Sequence, residues 1–143
     1  MKFPFSRRRR RGAALLEFAL VATMFLLLLL GLLQFGVYLN ATNTLWNLSR
    51  EGARVAAIQN SNNPNANQNI ISRVTQPPPT GVCPSSIDPS QMTVTISPSD
   101  PASRQTGQSV TVTIAYNMKN KIFVPLGNLL NPTYTTSSTM RVE

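Results

Sequence analysis

The chain has 143 residues, 13 Lys and Arg against 5 Asp and Glu, no His and a single Cys, with a formal net charge of +8. That leaves room for one domain of about 100–200 residues and excludes a Ser–His–Asp triad, a His-based metal site, an internal disulfide and a CxxC motif. No GxxxxGK[ST] or GxGxxG run is present to cradle a phosphate. The charge is also no patch on a fold: six of the thirteen cations are Lys2 and Arg7 to Arg11, and from Ala13 onward seven basic residues face five acidic ones.

Residues 1–12 therefore read as a basic leader, carrying Arg7, Arg8, Arg9, Arg10 and Arg11. Ala13 to Leu39 follows, 27 residues whose clearly polar members are Glu17, Thr23 and Gln34, with five consecutive leucines at Leu26 to Leu30. A helix of this length spans roughly 40 Å against an apolar bilayer core of about 30 Å. A single span must be helical to satisfy its own backbone, and a chain this short could not cover such a helix on all sides in water. The run predicts a transmembrane helix over 13–39. With five arginines before it and only Arg50, Arg54 and Glu51 in the twenty residues after it, the N-terminus is expected in the cytoplasm and the C-terminal hundred residues outside. A cleaved secretory signal fits less well. Its apolar region is about 7–15 residues, and no A-x-A site closes this one, which ends Val37-Tyr38-Leu39-Asn40. The five arginines are a poor match to a twin-arginine export signal.

Glu17 stands at the N-terminal edge of the apolar run. A carboxylate in hydrocarbon costs about 2.5–3.5 kcal/mol on insertion scales. At headgroup depth it would instead pair with Arg10 or Arg11 and favour the positive helix end. The string Arg7 to Arg11, Gly12, Ala13-Ala14-Leu15-Leu16, Glu17-Phe18 and a long apolar run also resembles a prepilin peptidase site. That resemblance implies cleavage after Gly12 on the cytoplasmic side, Ala13 as the new N-terminus and Glu17 as residue five of the mature chain. Gly12 lets the backbone enter a narrow cleft. The new amine could pair with Glu17 of a neighbouring subunit, and a misaligned pair of this kind is costly between apolar helices, so it would set axial register.

Further residues extend the likeness. Gly12-Ala13-Ala14-Leu15-Leu16-Glu17-Phe18-Ala19-Leu20, then Gln34-Phe35-Gly36, the helix string Arg50-Glu51-Gly52-Ala53-Arg54-Val55-Ala56-Ala57 and the closing Ser138-Thr139-Met140-Arg141-Val142-Glu143 resemble the TadE-like pseudopilins of tight-adherence (Flp) pilus systems. The likeness is specific over 7–57, one of pattern over 90–143, and silent over 59–90. It implies a pseudopilin or minor pilin of the bacterial inner (cytoplasmic) membrane, single-pass, later passing into an extracellular pilus. Its partners would be the membrane, a prepilin peptidase, other pilins or pseudopilins and the pilus assembly machinery. Gly12 and Ala13 would be the processing site, Glu17 and Phe18 the assembly and registration residues. Arg50, Glu51, Gly52 and Arg54 form a helix motif to which the sequence attaches no role. Major pilins often begin the mature chain with an N-methylated Phe, whereas Ala13 holds that position here. The chain ends where larger relatives continue into an adhesive domain, so no such domain is expected.

Beyond the run, residues 40–58 are expected to extend the helix into water. Leu45, Leu48, Gly52, Val55 and Ala56 make one apolar stripe at spacings of three, four, three and one. Trp46 suits either the membrane interface or the external domain. Arg50 and Arg54 are a like-charge pair one turn apart, relieved by Glu51. Residues 59–90 read as an Asn- and Pro-rich loop region: Gln59 to Asn69 holds six asparagines and no apolar period, Ile70 to Val74 a short helical turn, Pro77-Pro78-Pro79 a stiff turn. Cys83 is read as a buried or semi-buried free thiol, with pairing to another chain as the alternative.

Residues 91–143 are expected to form an antiparallel β region. Met92, Val94 and Ile96 alternate with Thr93, Thr95 and Ser97; Val110, Val112 and Ile114 with Thr111, Thr113 and Ala115; Tyr134 to Val142 alternates more weakly. The link Pro98 to Gln108 is polar; Lys119 to Pro132, with Ile122, Phe123, Val124, Leu126, Leu129 and Leu130, is too apolar for a free loop. The whole is an α+β, pilin-like chain: a transmembrane helix continuing into an amphipathic helix packed on a small sheet, which must borrow the helix stripe to close its core.

No enzyme, cofactor, metal, nucleic acid or small-molecule substrate is expected. Glu51, Asp88, Asp100 and Glu143 are scattered without a matched acid–base pair, and Arg7 to Arg11 lack aromatic interleaving or a basic fold. The alternative is an uncleaved single-pass anchor whose external domain binds an envelope partner.

Overall fold

A computed structural model describes residues 8–59, 63–121 and 133–143. In chain order the long elements are α1 (Arg8–Ile58), α2 (Ala66–Thr75), β1 (Met92–Ser97), β2 (Ser109–Asn117) and β3 (Thr133–Arg141). Contacts divide the chain into residues 1–36 and a compact unit of residues 37–143. The architecture is α+β, as the patterning predicts.

α1 begins at Arg8, five residues before the apolar run, because arginine favours helix and no proline interrupts the sequence from there to Ile58. From Gly12 to Leu33 every large apolar side chain is exposed. From Ala41 onward the helix acquires a buried face: Ala41, Leu45, Leu48, Ser49, Gly52, Ala53, Ala56 and Ala57, at spacings of one, three and four. That face is the expected stripe, made wider by small residues.

The sheet is antiparallel in the order β1-β2-β3. Met92 pairs with Tyr116 and Ser97 with Thr111; Ser109 pairs with Arg141 and Asn117 with Thr133. Val110, Val112, Ile114 and Tyr116 are all fully buried on one face of the central strand. They pack in one core with Leu45, Leu48, Ile70, Val74, Cys83 and Val142. Each such large side chain contributes about 1.5–3 kcal/mol on burial. Tyr134, Thr136, Ser138 and Met140 share the inward face of β3, with Thr136 the best buried.

Two contacts orient helix against sheet in the compact unit. The rings of Tyr38 and Tyr134 meet edge to face at 6.3 Å, and the Glu143 amide donates to the Ala57 carbonyl at 3.3 Å. Nineteen residues of helix and nine of strand both measure roughly 30 Å, so this part of α1 runs alongside β3 in the same direction.

The loop expected over Gln59 to Asn69 is shorter than the sequence suggests. Residues 66–69 belong to α2, and the short turn expected at Ile70 to Val74 is the second half of a ten-residue helix. Ala66, Ile70 and Val74, one turn apart, bury its inner face; the asparagines between them hid that period. The Asn63 carbonyl accepts from the Ala66 amide at 3.0 Å and starts the helix. After Pro77 the chain doubles back, with Val82 donating to Arg73 at 2.9 Å and Cys83 to Gln76 at 3.0 Å. A Cβ at Gly81 would collide with the Gln76 carbonyl oxygen, so only glycine fits this return. The apolar stretch 122–132 lies outside the described residues.

Candidate functional site

Two surfaces carry the residues the sequence singles out. On the first, Gly12, Ala13, Glu17 and Phe18 lie within α1. Arg7 lies outside the described residues; Arg8 to Arg11 form the first turn of the helix. Gly12 is helical, with nothing within 4 Å of where a side chain would stand. Ala13 and Glu17 are one turn apart and so share a face. Phe18 is 71 % exposed. The most apolar window of this segment is wholly unburied, unlike the core helix of a water-soluble protein. Inside the run Thr23 donates its hydroxyl to the Ala19 carbonyl at 2.8 Å, which satisfies a polar group without water. By length and composition this is a candidate membrane span.

The second surface is the outer side of α1 between Trp46 and Arg54. Glu51 is its hub. Arg54 donates from Nε to Oε2 and from Nη2 to Oε1, both at 2.9 Å, a two-pronged pair one helical turn long. Arg73 of α2 adds Nη2 to Oε1 at 3.4 Å. The hydrogen bonds from Arg54 hold the Glu51 carboxyl below its ordinary range, against the opposing effect of partial burial; Arg73 lowers it further. A carboxylate engaged by two guanidinium groups is a poor general base. Arg50 turns the other way, its guanidinium carbon 4.7 Å from the centre of the Trp46 ring. The expected repulsion between Arg50 and Arg54 is thus relieved on both sides, by Trp46 for one and Glu51 for the other.

The motif therefore divides by direction. Gly52 and Ala53 point into the core, while Arg50, Glu51 and Arg54 frame the surface. A groove of about 430 Å³ runs along one flank, lined by Thr44, Asn47, Leu48, Glu51, Val82 and Pro84. A second, of about 260 Å³, lies between Asn47, Arg50, Glu51, Arg54 and Met140. Among the described residues no group of three His, Cys, Asp or Glu is placed to hold a metal ion. Cys83 is a free thiol, 2 % exposed. Burial pushes its pKa up, and the nearby Asp88 charge adds to that.

Sequence reasoning missed Arg73 as the third member of the cluster, since only the α1–α2 packing brings it within reach of Glu51. It also missed Arg50 on Trp46, although their spacing of four residues was a visible signal.

Residues 12–54 match the family model described as TadE-like protein. This segment of the chain is TadE-like, in agreement with the resemblance read from its residues, and the match supports association with the membrane and with the tight-adherence pilus. No curated protein and no solved structure matches the chain.

Proposed function

We propose that the protein is a non-enzymatic pseudopilin, or minor pilin, cut after Gly12 by a prepilin peptidase and taking part in assembly of a tight-adherence pilus. The observation that carries this reading is one continuous helix. It holds Arg8 to Arg11, Gly12, Glu17 one turn beyond Ala13, and an unburied apolar surface, all but the arginines within the TadE-like segment. The arginines keep the N-terminus in the cytoplasm and place the compact unit on the other side of the membrane.

Each part has a physical task in this scheme. Gly12 costs the helix about 1 kcal/mol relative to alanine, so the backbone unwinds most easily where the peptidase must read it extended. Removal of the arginines discards the charges that hold the helix end at the cytoplasmic face. The apolar surface then exchanges acyl chains for neighbouring helices, a transfer governed by packing rather than by the hydrophobic effect. The new amine of Ala13 and the Glu17 carboxylate of a neighbour form the register-setting pair.

The test is expression of the full chain with and without its peptidase. The wild type should shift to a faster-migrating form only when the peptidase is active, and Gly12→Val should not shift. A wild type that stays full length beside an active peptidase sinks the proposal and leaves the uncleaved anchor.

A further inference from the structure

Both edges of the sheet are open. β2 holds the centre, and among the described residues the backbones of 93–97 in β1 and 134–141 in β3 hydrogen-bond to β2 alone. Edge strands are ordinarily guarded by lysine, proline or a bulge. β1 reads Met-Thr-Val-Thr-Ile-Ser, and β3 reads Thr-Tyr-Thr-Thr-Ser-Ser-Thr-Met before its final Arg141. Neither holds a proline, and both registers run without a bulge. An unguarded edge is a template for another strand.

The charges stand at the ends of these strands, and they differ in sign. Asp88 precedes β1 across the turn Pro89–Gln91, and Asp100 follows it; both are exposed. Each accepts from a nearby amide, that of Ser90 or of Ala102. β3 is flanked by cations. Arg141 ends it, exposed, and Met140 beside it lines the groove of about 260 Å³ with Asn47, Arg50 and Arg54 of α1. Glu51 lines that groove too, but is already engaged by Arg54 and Arg73. At the other end of β3, Thr133 pairs with Asn117, and the exposed Lys119 lies two residues beyond Asn117.

β1 and β3 are both antiparallel to β2, so they run parallel to each other. Two copies in the same orientation can therefore set β1 of one beside β3 of the next. With residues 92–97 beside 134–139, the exposed Thr93, Thr95 and Ser97 continue the outer face at Thr135, Ser137 and Thr139, exposed as well. Met92, Val94 and Ile96 continue the inner face at Tyr134, Thr136 and Ser138. Asp100 then comes to the end that holds Arg141, Arg50 and Arg54, and Asp88 to the end that holds Lys119. Pairing of like edges sets like charges together: β3 against β3 about a two-fold axis brings Arg141 towards Lys119, and β1 against β1 brings Asp88 towards Asp100.

We propose that the β3 edge docks the β1 edge of a second copy of this chain, extending the sheet through a parallel ladder of six residues, about 20 Å long. The contact is heterologous. It leaves one β1 edge and one β3 edge unpaired at the two ends, so it builds open rows and not a closed dimer. It goes beyond the proposed function and needs no cleavage after Gly12, since every residue in it belongs to the compact unit.

The experiment co-expresses two full-length variants without the peptidase, Thr95→Cys and a size-tagged Ser137→Cys, and oxidises their membranes with copper phenanthroline. Within one chain these positions lie on either side of Thr113. They are roughly 9–10 Å apart, out of reach of a disulfide, so a bridge must join two chains. The wild type, whose Cys83 is buried, sets the background. The mixed pair should cross-link several-fold more than either variant alone, and a chain carrying both substitutions should give a ladder of trimers and larger species. Asp100→Asn keeps an acceptor for the Ala102 amide but removes the charge. Added to Thr95→Cys, it should lower the yield about two- to fivefold, the worth of one exposed ion pair. Equal cross-linking from Ser137→Cys alone, which means β3 against β3, overturns the proposal. So does a mixed yield no higher than background, or a yield that Asp100→Asn leaves unchanged.

Discussion

Gly52 of α1 lies directly against Val112 of the central strand: a methyl group at Gly52 would stand 3.1 Å from Val112 Cγ1 and 3.5 Å from Val74 Cγ2. Helix, sheet and second helix meet at this point, and the missing side chain sets how closely they approach. Val112 and Val74 are both fully buried, so neither has room to give.

Gly52→Ala is therefore expected to destabilise the folded unit by up to about 2 kcal/mol. The overpacking cost of about 1–3 kcal/mol exceeds the roughly 1 kcal/mol that alanine adds to the helix. Gly52→Leu should cost considerably more. Denaturant titration of the detergent-solubilised chain, followed by near-ultraviolet circular dichroism, checks the order. A stabilised Gly52→Ala would show that the helix is not pressed on the sheet.

Glu51 links α1 to α2 through Arg73, and its pKa is lowered, chiefly by hydrogen bonds from Arg54. A carboxyl group with a depressed folded pKa contributes stability above its unfolded pKa and loses it as pH falls through the folded value. Glu51→Gln should thus cost a modest amount near neutral pH, under about 1 kcal/mol for so solvated a cluster. The difference from wild type should begin to shrink below the ordinary carboxyl value of 4.5 and vanish once the pH has fallen through the lower folded value. Melting temperatures of the two proteins across that range give the comparison; a gap that persists in acid would assign the effect to packing.

Arg104 is 2 % exposed. Its Nε and Nη2 donate to the Pro98 carbonyl at 3.1 and 2.8 Å, and Nη2 also donates to Asn67 Oδ1 of α2. It ties the β1–β2 link to the second helix. Removing it takes the charged donor from those partly buried acceptors, so Arg104→Ala should cost about 1–3 kcal/mol. Hydrogen exchange should then speed up in α2 before the β2 amides. Unchanged protection of α2 would show the tie to be dispensable.

Cys83 is buried, with a raised pKa, inside the core. A thiol of this kind reacts only when the fold opens. Its reaction with an aromatic disulfide reagent at pH 8 should be far slower than that of the denatured chain and should track unfolding. Rapid labelling of native protein would place Cys83 at the surface and reopen pairing with another chain.

Much of this architecture is written in local patterns. The apolar run is legible from its length and composition, while the helix stripe through Leu45, Leu48 and Gly52 and the alternation at Val110, Val112 and Ile114 repeat with the period of one element, and each forms as expected. What escaped depends on partners far apart in the chain. Arg104 reads as one polar residue in a polar link until Asn67, 37 positions away, comes against it. Arg73 joins Glu51 across 22 positions, and Tyr38 joins Tyr134 across almost the whole folded unit. α2 was half hidden because asparagines mask the apolar positions at Ala66, Ile70 and Val74. In the candidate site, the types and spacing of Arg50, Glu51, Gly52 and Arg54 were legible, and so was the place of Gly52 on the apolar stripe, but not the ties of Glu51 to Arg73 and of Arg50 to Trp46.

The most direct measurement is the intact mass, with N-terminal sequence, of the protein isolated from membranes of its native host. The account predicts a chain beginning Ala13-Ala14-Leu15-Leu16-Glu17, with residues 1–12 gone. A mature protein still carrying Arg7 to Arg11, in cells whose peptidase processes other substrates, would contradict it.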